Sequence, residues 1–165
     1  MSAFYEGQRL AILVDTANMY HSAKSKFQSR LDYSRLLNVV VRERLLVRAI
    51  AFVEYNEDSN ITPFVDALRS VGFDTKVKMV RRNDDHKIRG GDWDVGIALH
   101  AARLAQKVDC IALVSGDGAF VELIQYLNHE GLRTEVYAFD GYLSHELKQR
   151  SDDWYLIDES WLRDR

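Results

Sequence analysis

Proline and cysteine are scarce in this sequence, with one of each in 165 residues. A single cysteine cannot form an internal disulfide, and Cys110 opens an apolar run, so we expect it to be a buried small hydrophobe and not a reactive thiol. No apolar run approaches the length that spans a membrane, and the N-terminus has no apolar signal core. We therefore expect a soluble, cytoplasmic protein with no membrane partner.

Linkers, repeats and an excess of basic residues are lacking as well. No Gly/Ser-rich or low-complexity tract interrupts the chain, so residues 1–165 are predicted to form a single domain with its core at about 9–157. The formal net charge of −3 argues against a protein that binds DNA mainly through the phosphate backbone. It leaves room for an enzyme that approaches phosphates through metal ions held on carboxylates.

Short apolar segments alternate with segments of helical periodicity along the chain, which predicts an α/β fold. The expected architecture is a Rossmann-like three-layer domain, with a mostly parallel central sheet of about five to six strands and helices on both faces. The predicted strands are 10–14, 47–55, 74–80, 110–114, 134–139 and 154–157, and the predicted helices are 32–41, 62–71, 94–106, 120–130 and 143–149.

Two local signals refine this pattern. Thr62 is expected to be the N-cap of its helix, with Pro63 at the first helical position and Gly72 just past the end. Lys76 and Lys78 alternate with apolar residues, which indicates a half-exposed strand at the edge of the sheet. The pattern does not predict the order of the strands.

Acidic and polar residues stand where strands end or where a helix begins: Asp15 and Asn18, Ser115 and Asp117, Asp140, and Asp92 and Asp94. Ligands of open α/β sheets bind beyond the carboxyl ends of the strands, so these side chains are expected to converge. Gathered carboxylates repel one another unless a cation is present, and Mg²⁺ or Mn²⁺ suits their hard oxygen atoms. Each element also has a local explanation: a cap at Asp15, a tight turn at 115–118 and an N-cap at Asp92 or Asp94.

Other candidates carry weaker signals. His100 lies in an apolar helical stretch, where a half-buried, hydrogen-bonded histidine is favoured over a metal or acid–base role. Lys87 and Arg89 belong to a locally basic segment, which is either a solvated loop or a flap that contacts phosphate. Trp93 is expected to be a core or rim aromatic in preference to a base-stacking one.

Three segments together resemble the NYN domain family, of PIN-like proteins that include the LabA-like group. They are Ile12-Leu-Val-Asp15-Thr-Ala-Asn18, then Lys87 ahead of Asp94-Val-Gly-Ile-Ala-Leu-His100, and Ala112-Leu-Val-Ser115-Gly-Asp117-Gly-Ala-Phe120. The resemblance implies a PIN-like Rossmannoid fold and a metal-dependent ribonuclease acting on single-stranded RNA. It assigns Asp15, Asp94 and Asp117 as ligands of Mg²⁺ or Mn²⁺. It further implies that Asn18 and Ser115 orient ligands or water, and that Lys87 meets phosphate.

The sequence departs from the family pattern at His100 and Ala119, where members commonly carry acidic residues. Asp92, His100 or Asp140 are the candidates for replacement ligands. The alternative function is therefore a catalytically weakened or inactive NYN module that binds RNA or regulates. A third and weakest hypothesis, a small-nucleotide enzyme, lacks a complete glycine fingerprint.

The apolar C-terminal segment 154–162 is expected to pack on its own domain. The alternative for this segment is a homodimer contact.

Overall fold

The computed structural model describes residues 5–82, 88–89 and 91–164. In these ranges, six parallel strands form one sheet in the order β3-β2-β1-β6-β7-β8. Its strands are β1 (Arg9–Asp15), β2 (Leu45–Tyr55), β3 (Asp74–Met79), β6 (Cys110–Val114), β7 (Arg133–Phe139) and β8 (Asp153–Ile157). Two short antiparallel strands, β4 (Arg81–Arg82) and β5 (Ile88–Arg89), form a separate hairpin.

The described ranges hold six α-helices. They are α1 (Thr16–Phe27), α2 (Tyr33–Val41), α3 (Thr62–Val71), α4 (Asp94–Leu104), α5 (Val121–His129) and α6 (His145–Arg150). None of the helices described is long and apolar enough to cross a membrane.

Strand β1 divides the core into two layers because successive side chains point to opposite faces of the sheet. Leu10, Ile12 and Val14 pack with α1, α2 and α3, whereas Ala11 and Leu13 pack with α4, α5 and α6. This three-layer arrangement confirms the predicted α/β fold class. By the same alternation, Asp15 belongs to the face that α4 covers.

The chain reverses direction across the sheet beside β1. It first proceeds outward through β2 to β3 and then returns to β6, on the other side of β1. In open α/β folds, ligands bind at the carboxyl ends of the two strands that flank such a switch point. Here those ends are Asp15 and Val114.

The edge strand and the end of α3 agree with the sequence predictions, whereas the start of α3 does not. β3 is the half-exposed edge strand that the alternating lysines predict. Gly72 ends α3 with a φ of 121°, as expected. The assignment of Thr62 as an N-cap is wrong, because Ile61 holds that position without a side-chain bond and Thr62 is the first helical residue.

The C-terminal segment folds back onto the chain's own core. Trp161 and Leu162 are buried with the α1–α3 layer, and Leu162 forms a β-bridge to Leu31. The expectation that this segment packs on its own domain holds for these two residues, whereas Trp154 and Leu156 remain 43% and 36% exposed. Cys110 is also buried, as predicted.

Candidate active site

The ends of β1 and β6 are connected through the side chain of Asp15. One carboxylate oxygen of Asp15 accepts the Asn18 N–H (3.1 Å), and the other accepts the Ser115 hydroxyl (3.1 Å). The side-chain carbonyl of Asn18 in turn accepts the Gly116 N–H at 3.1 Å. Asp15 is therefore fixed by polar contacts from both strand ends and is only 9% exposed.

The turn after β6 aims a second carboxylate at the same edge. Asp117 donates its N–H to the Ser115 hydroxyl at 3.2 Å, and its carboxylate accepts the Ala119 N–H at 2.9 Å. This second bond caps the short 3-10 helix Gly118–Phe120. Gly116 allows the turn, since a Cβ there would lie 1.9 Å from the carbonyl oxygen of Tyr142.

The start of α4 is held against the end of β2 by Trp93. Its backbone N–H donates to the carboxylate of Glu54 at 3.2 Å, and its indole N–H donates to the carbonyl of Val53 at 3.0 Å. The indole ring lies so close to Gly96 that a Cβ there would come within 2.5 Å of it. Trp93 packs against the α4–α6 layer, in agreement with the rim role expected for it.

Asp92 and Asp94 bring two more carboxylates to this point. The Asp94 N–H donates to the Asp92 carboxylate at 3.1 Å, so Asp92 caps the helix from one residue before its N-cap, Trp93. The Lys78 ammonium donates to the Asp92 carbonyl at 2.8 Å and lies 4.4 Å from the centre of the Trp93 ring.

Burial and mutual repulsion raise the pKa values of these acids. The pKa of Asp94 rises to about 7, through burial first and then through the charges of Asp92, Asp117 and Asp15. Burial also raises the pKa of Asp15, against the lowering effect of its two hydrogen bonds, and Asp117 and Asp92 raise it further. The pKa of Glu54 rises through burial, with Asp15 and Asp92 adding to the effect.

Asp15, Glu54, Asp92, Asp94 and Asp117 thus form one electrostatically coupled cluster, which we call the acidic centre. Its donors are carboxylate oxygens, which suit Mg²⁺ or Mn²⁺. Among the residues described, no three His, Cys, Asp or Glu side chains converge closely enough to share a metal ion. The donor set therefore fits a hydrated ion that takes one or two direct carboxylates and meets the others through water, as is usual for Mg²⁺.

Comparison with known proteins decides the family. The sequence model of the NYN domain matches residues 9–158. The chain belongs to the NYN domain family. The predicted resemblance is thereby confirmed, and NYN domains are generally nuclease-like and related to nucleic acids.

Two relatives resemble this NYN domain over most of its length. The protein named "Low amplitude and bright protein LabA" from Synechococcus elongatus is 28% identical over 155 residues, which cover 90% of this chain and 83% of that protein. A crystal structure of a protein of unknown function from Vibrio parahaemolyticus superposes with a TM-score of 0.87 at 32% identity, covering 98% of this chain and all of the other.

The predicted site residues of this NYN domain do not all meet. Asp15, Asp94, Asp117 and the alternative ligand Asp92 lie in the acidic centre, and Asn18 and Ser115 hold Asp15 in place. Asp140 contacts Lys26 instead, at 3.5 Å on the α1 side of the sheet.

The remaining candidates are His100, Arg89 and Lys87. His100 bonds through Nδ1 to the Gly96 carbonyl at 2.8 Å and packs edge-on against Phe52, which fits the structural role favoured for it. Because the carbonyl can only accept, Nδ1 carries the proton. Arg89 belongs to β5, and Lys87 lies outside the described residues.

Sequence reasoning missed Glu54. It is the residue before the last in β2, and its carboxylate reaches the start of α4. Glu54 lies within a strand, whereas the predicted acids follow strand ends or open a helix. A charged residue in the otherwise apolar stretch Ala51-Phe-Val-Glu-Tyr55 was the available signal.

Proposed function

We propose that this NYN domain is a metal-dependent ribonuclease that hydrolyses phosphodiester bonds of single-stranded RNA. The observation that carries the proposal is the acidic centre at the switch point of the sheet. Burial, and then the charges of Asp92, Asp117 and Asp15, raise the pKa of Asp94 to about 7. Such clustering is costly to a fold, and it is typical of sites whose charge a cation offsets.

Asp15, Asp94 and Asp117 are the proposed residues that hold Mg²⁺ or Mn²⁺, one or two of them by direct contact and the rest, with Asp92 and Glu54, through bound water. The chemistry that the bound ion supplies is activation of a water for in-line attack on the phosphodiester and neutralisation of charge on the departing oxygen. Asn18 and Ser115 keep the Asp15 carboxylate in one orientation through their hydrogen bonds. Lys87 and Arg89 are proposed to meet substrate phosphate.

Asp94 links ion binding to protons. Since its pKa is about 7 in the metal-free protein, a large share of the molecules carry a proton on Asp94 at neutral pH. Metal ligands must be deprotonated, so binding of a divalent cation is expected to release this proton. Apparent metal affinity should therefore rise as the pH increases from 6 to 8.

Cleavage of an end-labelled single-stranded RNA in Mn²⁺, Mg²⁺ or chelator tests the proposal. We expect metal-dependent cleavage that Asp15→Asn and Asp117→Asn each reduce more than about 100-fold, since changes around a metal ligand alone commonly cost 10–100-fold. Asp140→Asn is the matched control, because it removes a carboxylate that also follows a strand but contacts Lys26.

The same variants allow a binding measurement that does not depend on turnover. A ligand that binds only the folded state raises the melting temperature, so Mn²⁺ should stabilise the wild type and Asp140→Asn but not Asp15→Asn. Absence of cleavage with either metal on several RNAs, together with no thermal shift, would reject the enzyme.

A specific observation favours the alternative of a weakened or inactive RNA-binding or regulatory module. His100 and Ala119 occupy positions that are commonly acidic in the family, and the His100 ring is already engaged by Gly96 and Phe52. For this alternative we expect RNA binding that persists in the wild type without cleavage under any metal.

A further inference from the structure

Three cations form a row on one face of the sheet near its open edge. In the parallel register, Phe52 pairs with Lys76 and Glu54 with Lys78, so both lysines share the face of these β2 residues. Arg48 lies on the same face, two residues before Ile50, which packs with the α4–α6 layer. We call Arg48, Lys76 and Lys78 the basic row.

The basic row ends at the acidic centre. The ammonium of Lys78 contacts the Asp92 carbonyl and the Trp93 ring, as described above. Residues two apart on a strand are about 7 Å apart, so Lys76 lies one such step behind Lys78 along β3. At the far end, Arg48 contacts the Asp74 carboxylate at 2.6 Å and remains 44% exposed.

A cleft of about 480 Å³ adjoins the far end of the row. Arg48, Arg69 and Lys76 line it together with the acid Asp74. Arg69 approaches from α3 and donates to the Thr75 hydroxyl at 3.0 Å. Lys76 makes no ion pair with any residue in the described ranges. Positive charge therefore exceeds negative charge locally, in a chain whose net charge is −3.

We propose that the basic row binds the phosphate backbone of single-stranded RNA and directs it to the acidic centre. This inference rests on the ribonuclease function proposed above and adds the path of the substrate. The carboxylates of the acidic centre repel the phosphates of RNA. The phosphates that flank the cleaved one therefore need cations spaced along the path of the RNA backbone. Contacts of this kind position the nucleic acid without reading its sequence.

Protection of the sheet edge is the other explanation for such lysines, because charged residues on edge strands discourage pairing between molecules. Arg48 does not decide between the two explanations, because β3 pairs with β2 only from Ile50 to Tyr55 and leaves the edge at Arg48 open. One feature favours RNA binding. The ammonium of Lys78 points along the sheet to Asp92 and Trp93.

Binding of a labelled twelve-nucleotide oligouridylate in chelator, measured by fluorescence anisotropy across a salt series, tests the row. The variant Arg48→Gln/Lys76→Gln leaves every residue of the acidic centre unchanged. Its matched control is Lys107→Gln/Arg150→Gln, which removes the same two residue types from exposed positions elsewhere. A plot of log K against log salt falls with a slope of about −0.7 for each phosphate contact to a single strand. Loss of two contacts should therefore make the slope less steep by about 1.4.

The control should keep the wild-type slope, and all three proteins should melt at similar temperatures. Equal slopes for the two double variants, or no RNA binding by the wild type, would overturn the basic row. The cleavage assay judges the ribonuclease separately. Cleavage with unchanged slopes rejects only the row, whereas a reduced slope without cleavage supports the row and rejects only the enzyme.

Discussion

At the scale of single residues, Gly116 is the position where the acidic centre depends on having no side chain. A Cβ built there would lie 1.9 Å from the backbone oxygen of Tyr142, and a backbone cannot move aside as a flexible side chain does. We expect Gly116→Ala to destabilise the protein by about 1–3 kcal/mol, as overpacking of a tight site does. The substitution should also displace the 115–117 turn and so weaken Mn²⁺ binding.

Thermal unfolding with and without Mn²⁺ measures both effects. Gly7→Ala is the control, because a Cβ there meets nothing within 4 Å. If Gly116→Ala and Gly7→Ala melt at the same temperature as the wild type, the close approach to Tyr142 does not exist in solution.

At the scale of elements, a buried ion pair joins the start of β2 to β7. Arg44 donates to both carboxylate oxygens of Glu135, at 2.7 and 3.0 Å, and both side chains are 1% exposed or less. The same guanidinium bonds to Gln8 ahead of β1, and Glu135 also accepts the Tyr137 hydroxyl. Arg44→Met strands the Glu135 carboxylate in the core, which should cost about 3–5 kcal/mol in the free energy of unfolding.

Denaturant unfolding of a double-mutant cycle measures this coupling. Arg44→Met/Glu135→Met should be more stable than the sum of the two single changes, because it leaves no unpaired buried charge. The exposed pair of Arg9 and Asp109 provides the comparison, and Arg9→Met should change the free energy of unfolding far less than Arg44→Met does. Additive single changes at Arg44 and Glu135 would show that the pair is not coupled.

The elements also show what the sequence could predict. β6 has its predicted bounds, because a strand buried on both faces leaves an uninterrupted apolar run at 110–114. The apolar pattern does not predict α1, since the residues that α1 buries include Thr16, Ser22 and Ala23, which give no apolar period. Convergence of Asp15 with Asp117 follows from parallel strands alone. Recruitment of Glu54 does not, because it depends on where Trp93 holds the start of α4.

At the scale of the whole molecule, the charge is unevenly distributed, and the acidic centre lowers the free energy of unfolding of the metal-free protein at neutral pH. The folded pKa of Asp94 is about 7, above its usual value of 3.8, so the folded state binds more protons than the unfolded state between these values. Stability contributed by this group is therefore present below pH 4 and is lost as the pH rises to 7. The position of Asp94 in the first turn of α4 favours its negative charge. The raised pKa shows that burial and repulsion by the other carboxylates outweigh this effect of the helix.

Asp94→Asn removes the charge without changing the size of the side chain, so it should stabilise the metal-free protein at pH 8 and have little effect at pH 4. After the discount for solvent around a half-buried group, we expect about 1 kcal/mol, or roughly 2–4 °C in melting temperature. Thermal unfolding in chelator from pH 4 to pH 8 measures the difference, with the exposed Asp66→Asn on α3 as control. A difference that is constant across pH, or that Asp66→Asn reproduces, would mean that Asp94 is not repelled in the folded state. With saturating Mn²⁺ at pH 8, the wild type should instead melt at the higher temperature, because it binds the ion more tightly than the variant, which lacks the Asp94 carboxylate.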